Sequence, residues 1–146
     1  MKILYQGSPG AYSHLAALEV YPNAEIISCK TFDECFSKAQ EDEKLKIIIP
    51  ESNKTTGNIG IEYLIFKYRL NIYAEHFQKI EHNLLGLPGT KISNIKNVLS
   101  HAQALSQCSN FIKKNNLIEN VRADTAGSAE LIAKNKKISD GAIASK

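Results

Sequence analysis

Arginine is nearly absent from this sequence of 146 residues, because Arg69 and Arg122 are its only two arginines and lysine supplies the rest of the positive charge. Lysine favours solubility, but it lacks the planar group that binds a phosphate through two parallel hydrogen bonds. The net charge of +3 is also too small to indicate nucleic acid as the main partner. We therefore expect no nucleic-acid partner.

Cysteine and long apolar stretches are scarce as well. Cys29, Cys35 and Cys108 are odd in number and have neither CxxC nor Cys/His metal spacing. We therefore expect a reduced, cytoplasmic protein that binds no metal. No stretch reaches the roughly 18 apolar residues of a membrane span, and the apolar N-terminal stretch is too short for a signal peptide, so we expect no membrane partner.

Strand and helix patterns alternate along the sequence, which predicts an α/β fold with a mostly parallel sheet and helices on its faces. Apolar stretches predict strands at residues 2–6, 24–29, 47–49, 98–100, 119–123 and 142–144. Helices are predicted at residues 13–21, 32–40, 59–67, 101–115 and 126–135, the second starting with the capping-box spacing of Thr31 and Glu34. Residues 70–87 predict one or two extended strands that connect two lobes, 1–75 and 76–146.

Three of the predicted helix starts directly follow a strand and carry small or hydroxyl-bearing residues. Their expected N-caps are Ser13, Ser100 and either Asp124 or Thr125. A helix N-terminus presents N–H groups with a partial positive charge, and open α/β folds bind ligands at the carboxyl ends of their strands. Ordinary capping explains each start by itself, whereas the three together indicate a site for a small carboxylate or phosphate.

The common nucleotide and nucleophile motifs are missing. The glycine turn after the first strand has neither the Gly-Lys-Ser/Thr ending of a P-loop nor GxGxxG spacing, and GxSxG does not occur, so we expect no cofactor. Asn53 and Thr55 lie in a polar loop predicted for residues 50–58, where they are either turn residues or ligand contacts. His76 and His82 are more typical of packing or surface positions than of catalysis.

Five spaced motifs resemble those of the prephenate dehydratase family. They occur in the family's order along the whole chain, at residues 5–17, 75–77 with 82–86, 100–108, 124–129 and 141–145. The third reads Ser-His-Ala-Gln-Ala-Leu-Ser-Gln-Cys and is similar to the family's Ser-His-Pro-Gln-Ala-Leu-x-Gln-Cys. The resemblance implies two α/β lobes similar to the type II periplasmic binding proteins, with the ligand between them.

The resemblance also implies a lyase that converts prephenate to phenylpyruvate, water and carbon dioxide in phenylalanine biosynthesis. Prephenate carries two carboxylates, and aromatisation of its ring drives the elimination. The protein has to orient the leaving carboxylate and protonate the leaving hydroxyl. For the full-length protein the family implies a homodimer. The matching motif positions imply that the substrate contacts are Ser13, Asn53, Thr55, Ser100, His101, Gln103 and Thr125.

The sequence departs from the family pattern in the loop after the third strand. The family has Pro-x-Glu-Asn-Ser-x-x-Gly there, and in this chain Ser52 and Lys54 stand where the family has its glutamate and serine. The asparagine contact is kept at Asn53, whereas the serine hydroxyl is lost, with Thr55 as its nearest replacement.

A second departure concerns the family's Thr-Arg-Phe triplet, whose threonine is the favoured catalytic acid and whose position falls after Lys146. We therefore expect this chain to be the first part of a catalytic domain, without its returning segment and regulatory domain and with little or no activity by itself. Its first sheet should then have an unfilled position or an exposed apolar edge. His101 is an alternative acid, although a histidine in the first turn of a helix needs no catalytic role.

Two other functions share the same fold and the same anion-binding helix starts. One is a non-catalytic module that binds a small carboxylate, and the altered loop at Asn53 slightly favours it. The other is a truncated pseudoenzyme. Titration with prephenate and with amino acids distinguishes an enzyme of this family from an amino-acid receptor.

Overall fold

Strands and helices alternate in both halves of the chain, as the sequence predicts. The computed structural model describes residues 1–53 and 57–145. By its internal contacts the chain divides into two units, Met1–Lys79 and Ile80–Lys146, which we call unit 1 and unit 2. The lobes 1–75 and 76–146 stay a prediction, because a lobe is defined by how it binds a ligand.

Unit 1 is built on a parallel sheet of three strands, β1 (Lys2–Gln6), β2 (Glu25–Cys29) and β3 (Leu45–Ile48). β1 lies in the centre, so the order is β2–β1–β3, and among the described residues β3 has β1 as its one strand neighbour. Ile3, Leu4 and Tyr5 of the central strand are buried. Their continuous apolar run is what a strand covered on both faces requires.

The helices of unit 1 are α1 (Tyr12–Val20), α2 (Phe32–Glu41) and α3 (Glu62–Tyr68). α2 begins where the sequence predicts it, because the Thr31 side chain accepts the N–H of Glu34 at 3.1 Å. α3 begins at Glu62 rather than at residue 59. The cause is a turn in which Asn58 Oδ1 accepts the N–H of Gly60 at 2.5 Å, with Gly60 in the left-handed region at φ +80°.

Two short strands replace part of the polar loop expected at residues 50–58. β4 (Ser52–Asn53) pairs antiparallel with β5 (Gly57–Asn58), with Asn53 opposite Gly57. The N–H of Ile59 also donates to the carbonyl of Glu51 at 2.8 Å, which extends the pairing by one hydrogen bond. The two described ends of the expected loop therefore pair with each other as a short antiparallel ribbon.

Residues 70–82 contain neither helix nor strand, which corrects the extended strands expected over residues 70–87. Side-chain contacts, not strand pairing, connect residues 70–79 to the helices and strands of unit 1. The hydroxyl groups of Tyr73 and Tyr21 are 2.6 Å apart, and Lys46 Nζ lies 4.0 Å from the centroid of the Tyr73 ring. Further along, His76 Nε2 is 3.8 Å from a carboxylate oxygen of Glu19.

Unit 2 is built on a mixed sheet of four strands. They are β6 (Asn83–Leu85), β7 (Asn97–His101), β8 (Ile118–Arg122) and β9 (Asp140–Ala144), in the order β6–β9–β7–β8. β7, β8 and β9 are parallel, whereas β6 is antiparallel to β9. The mostly parallel sheet predicted from the sequence is therefore confirmed, with one antiparallel edge strand.

The helices of unit 2 are α4 (Ala102–Gln107), α5 (Ser109–Lys114) and α6 (Thr125–Asn135). The single helix expected at 101–115 is two short helices that meet at Cys108. The N–H of Cys108 donates to the carbonyls of both Ala104 and Leu105 at 3.1 Å, a shared bond typical of a helix end. In the part of the chain that is described, no helix has the length and apolar character needed to cross a membrane.

Candidate functional site

The carboxyl ends of the unit 1 strands meet at one edge of the sheet, which we call the first-sheet edge. Gln6, the last residue of β1, pairs with Cys29, the last residue of β2, and Tyr5 pairs with Ile48 of β3. The turn that leads from β1 to α1 and the segment that leads from β3 to Asn53 leave the sheet there. Open α/β folds bind ligands at such an edge.

The start of α1 differs from the prediction, because its N-cap is Ala11 and Ser13 is the second helical residue. Ala11 has extended dihedral angles and provides no side-chain cap. Its N–H donates to the carbonyl of Ser8 at 3.0 Å, so a backbone turn rather than a serine hydroxyl sets the start of the helix. Ser13 is half-buried on the first helical turn, next to the first-sheet edge.

The turn at residues 7–10 is fixed at both ends. At one end, the N–H of Gly7 donates to the carbonyl of Cys29 at 3.1 Å, and Ser28 Oγ donates to the carbonyl of Gly7 at 2.5 Å. At the other end, the N–H of Gly10 donates to Nδ1 of His14 at 3.1 Å. The sequence motifs predict no role for His14. A histidine four residues after a turn glycine is the pattern that could have indicated this hydrogen bond.

Asn53 reaches the first-sheet edge in β4, where it is half-buried. Its position supports the expectation that it follows the third strand of the sheet. Thr55, the proposed replacement hydroxyl, lies outside the described residues, and so does Lys54. Of the contacts expected in unit 1, Ser13 lies on the first turn of α1 after β1 and Asn53 lies in β4 after β3, and their use in one site stays a prediction.

The second-sheet edge is formed by the strand ends of unit 2. His101 at the end of β7 pairs with Arg122 at the end of β8, and Ala144 at the end of β9 pairs with Asn83, the first residue of β6. Because β6 runs antiparallel to β9, His82 directly before it lies at this edge as well. This edge therefore brings together side chains from distant parts of the sequence.

His101, not Ser100, is the N-cap of α4. Nδ1 of His101 accepts the N–H of Gln103 at 3.3 Å, because β7 continues through His101 before the helix begins. Ser100 is 0% exposed, and its hydroxyl donates to the carbonyl of Ile143 at 2.5 Å. Ser100 therefore connects β7 to β9 inside the sheet, while His101 is exposed and Gln103 half-buried at the edge.

The start of α6 follows one of the two predicted alternatives, since Asp124 is its N-cap and Thr125 is its first residue. Asp124 Oδ1 accepts the N–H of Gly127 at 2.5 Å, and Ser128 Oγ donates to the carbonyl of Asp124 at 2.7 Å. A carboxylate of the chain itself thus occupies this helix N-terminus. Thr125 is half-buried beside it.

His82, expected at a packing or surface position, is half-buried and has a defined polar partner. Its Nε2 lies 2.6 Å from Oε1 of Gln107, at the end of α4. An amide oxygen can only accept, so His82 Nε2 carries the proton in this hydrogen bond. The contact connects the motif at residues 82–86 with the motif at residues 100–108.

Two grooves in the described part of the chain lie away from these edges. One, of about 450 Å³, is lined by Met1, Lys2, Leu45 and neighbouring residues at the amino ends of the unit 1 strands. The other, of about 640 Å³, follows α3 from Glu62 to Asn71. Among residues 1–53 and 57–145, no three His, Cys, Asp or Glu side chains are grouped for a metal ion.

The fold and the placement of the motifs define the class of protein: two α/β units that carry their polar motif residues at the carboxyl edges of their sheets. The chain belongs to the prephenate dehydratase family, whose sequence profile matches residues 3–146. This confirms the family and the α/β fold that the sequence motifs implied.

Three similar proteins give the range of relationship. The chain is 43% identical over 148 residues to arogenate dehydratase/prephenate dehydratase 1 of Arabidopsis thaliana, a chloroplastic protein, covering 99% of this chain and 37% of the relative. It is 33% identical over 144 residues to a bifunctional N-acyl-homoserine lactone acylase/prephenate dehydratase of Komagataeibacter europaeus, covering 98% and 51%. The prephenate dehydratase structure from Staphylococcus aureus shares its fold, with a TM-score of 0.77 at 22% identity, covering 100% and 55%.

The chain therefore spans between 37% and 55% of the length of these three proteins. The shared part includes both sheet edges described above.

Proposed function

We propose that the full-length product of the gene encoding this chain converts prephenate to phenylpyruvate in phenylalanine biosynthesis. The observation that carries the proposal is the family match over residues 3–146, together with the position of the motif residues at the two sheet edges. In the reaction the bond to the leaving carboxylate breaks and its electrons enter the ring. The ring hydroxyl takes up one proton and leaves as water.

Some of the proposed substrate contacts belong to unit 1 and the others to unit 2. In unit 1 they are Ser13 and Asn53, with Thr55 kept from the sequence prediction; in unit 2 they are His101, Gln103 and Thr125. Hydroxyl, amide and imidazole groups can donate hydrogen bonds to carboxylates and to a departing hydroxyl. We leave Ser100 out, because its buried hydroxyl already donates to Ile143.

His101 is the proposed substitute acid within this chain. Its Nδ1 accepts the N–H of Gln103, so in the neutral ring the proton is on Nε2, and the side chain is exposed at the second-sheet edge. Replacing His101 by Gln should lower kcat for phenylpyruvate formation by at least about tenfold, the lower range for a general acid. If kcat stays unchanged, the acid is another group.

The assay that tests the enzyme proposal uses the full-length gene product with prephenate and with arogenate, the second substrate in the name of the Arabidopsis relative. Phenylpyruvate and carbon dioxide should form together from prephenate. An Asn53→Ala variant tests the proposed site, since it removes one proposed substrate contact. Tight binding of prephenate without product would support the non-catalytic carboxylate module instead.

A second candidate activity is hydrolysis of an N-acyl homoserine lactone, the acylase reaction in the name of the relative from Komagataeibacter europaeus, which is 33% identical. The same preparation incubated with such a lactone should release the free fatty acid if this activity is present. Release without phenylpyruvate formation would favour the acylase over the dehydratase.

We further propose a cytoplasmic location and a homodimer for the full-length protein. Cys29, Cys35 and Cys108 are all free thiols, which suits a reducing compartment. Large exposed apolar side chains on α3 support association with a second copy, because Tyr63 is 65% and Phe66 is 88% exposed.

A further inference from the structure

We propose that His14 is a positioning residue that holds the turn at residues 7–10, and Ser13 beside it, in the geometry that binds substrate. This inference rests on the proposed function, because it gives a role to a side chain that is not itself a proposed substrate contact. The sequence motif contains His14, but neither capping nor substrate contact accounts for it.

A hydrogen bond from Gly10 connects the turn to His14. Gly10 has φ +87°, in the left-handed region, so the turn reverses the chain at this residue. Its N–H points back to Nδ1 of His14 at 3.1 Å, in a part-buried position. A part-buried N–H without an acceptor is costly, so a side chain that cannot accept at this place would release the turn.

The His14 ring also packs against the aromatic ring of Tyr5. Its centroid lies 5.1 Å from that of Tyr5, whose side chain is 2% exposed in the central strand. The imidazole thus packs against the core of unit 1 and presents Nδ1 to the turn. The position of the turn is in this way tied to the most buried strand of the unit.

The N-cap of α1, Ala11, makes no side-chain hydrogen bond to the helix. Thr31 caps α2 and Asp124 caps α6, whereas Ala11 offers no side chain to the N–H groups of α1. His14 is the side chain that reaches back from the first helical turn to the glycine turn. Ser13, which precedes it, keeps its place only if that turn is held.

Two substitutions separate the hydrogen bond from the ring packing. His14→Asn keeps an acceptor atom at the δ position but removes the aromatic ring. His14→Phe keeps a ring against Tyr5 but removes the acceptor. A positioning role through Gly10 predicts that the Asn variant behaves like the unchanged protein and the Phe variant does not, while a packing role predicts the reverse order.

The decisive measurement is steady-state kinetics of the full-length gene product with prephenate. For His14→Phe we expect KM to rise about tenfold with kcat within about twofold, since one hydrogen bond of binding geometry is lost. For His14→Asn both constants should stay within about twofold. A merely destabilised protein would instead lose kcat with an unchanged KM, and that result, or a high KM in the Asn variant alone, would overturn the proposal.

Hydrogen exchange of the Gly10 amide in the 146-residue chain provides a test that needs no activity. Exchange should be faster in His14→Phe than in the unchanged chain and in His14→Asn, because the amide loses its acceptor. Equal exchange in all three proteins would exclude the anchor even if the enzyme is active. If no phenylpyruvate forms while the exchange rates differ as expected, the proposed reaction fails and the anchor stands.

Discussion

Single side chains decide where three of the described helices begin. Thr31 and Asp124 accept N–H groups of the first turns of α2 and α6, and the imidazole of His101 does the same for α4. Each closes an N-terminus that would otherwise present free N–H groups to water. The stability of each helix should therefore respond to the hydrogen-bonding atom at its N-cap rather than to its size.

Replacing Thr31 by Ala should lower the free energy of unfolding by about 1 kcal/mol, because the N–H of Glu34 loses its acceptor. Urea titration followed by circular dichroism measures the change. Thr31→Ser is the matched control, since it keeps the hydroxyl and should lose much less. Equal losses in the two variants would mean that the methyl group of Thr31, not its cap, contributes the stability.

Glu34 should make the stability of unit 1 depend on pH. Its pKa is lowered by the hydrogen bond from Lys38 and then by the N–H of Lys30, both of which favour the carboxylate. Because the pKa is lower in the folded chain, this stabilisation is present above the unfolded pKa of about 4.3 and is lost as the pH falls through the folded value. In Glu34→Gln the decrease in unfolding free energy below about pH 4.3 should be shallower; an identical slope would show that the carboxylate does not contribute.

Gly127 should tolerate alanine only when Asp124 is removed. A Cβ at this position would lie 2.9 Å from Asp124 Oδ2, which is held in place as the N-cap of α6. In the unchanged chain we therefore expect Gly127→Ala to destabilise. In an Asp124→Ala background the same change should stabilise by up to about 1 kcal/mol, the helix preference of alanine over glycine. A double-mutant cycle of urea titrations measures both, and a stabilising effect in both backgrounds would contradict the steric conflict.

At the scale of elements, local signals were readable from the sequence and distant ones were not. The start of α2 depends on Thr31 and Glu34, three positions apart, and was predicted correctly. Ser100 was assigned to a cap because its partner, the carbonyl of Ile143, is 43 positions away and no local pattern indicates it. Of residues 70–87, where one or two extended strands are predicted, only β6 (Asn83–Leu85) is a strand, since alternating apolar residues do not show where a partner strand exists.

The candidate site follows the same rule. The sequence motifs predicted the positions of Asn53, His101 and Thr125 after strand ends, because each motif is short and continuous. The hydrogen bond between His82 and Gln107, and the contact between Tyr5 and His14, join side chains through the tertiary fold and were not predicted. Resemblance to a family therefore predicts candidate substrate contacts, but it does not indicate the tertiary contacts that hold the neighbouring groups in place.

The hydroxyl contact between Tyr73 and Tyr21 should contribute to the attachment of residues 70–79 beside the end of α1, together with the contact of His76 with Glu19. Tyr73→Phe removes the 2.6 Å contact with the hydroxyl of Tyr21 but leaves the ring against Lys46. We expect faster amide exchange in residues 70–79 and a loss of unfolding free energy of about 1 kcal/mol or less. Tyr73→Leu, which also removes the ring, should show a larger effect. Equal effects in the two variants would assign the attachment to the hydroxyl contact alone, and an unchanged Tyr73→Phe variant would assign it to packing.

At the scale of the whole molecule, the most exposed large apolar side chains of the described residues are concentrated between residues 59 and 77 of unit 1. Phe66 and Phe77 are 88% and 87% exposed, values that a monomer rarely tolerates close together in sequence. Replacing Phe66 by Lys should weaken the proposed self-association by at least about tenfold while leaving the unfolding midpoint unchanged, because the side chain supports no core. Sedimentation over a range of concentrations measures this, with Phe111→Lys, 40% exposed on α5 in unit 2, as the control. If both variants self-associate as strongly as the unchanged chain does, α3 is not the interface.

The strand order of unit 2 has a consequence for synthesis on the ribosome. β9 comes last among the described strands, yet it lies between β6 and β7, which do not pair with each other. Until residues 140–144 have left the exit tunnel, β6 has no partner and the hydroxyl of Ser100 has no carbonyl to donate to. The nascent chain must therefore keep the middle of this sheet open while β7, β8 and α6 emerge, and translation of five late residues completes it.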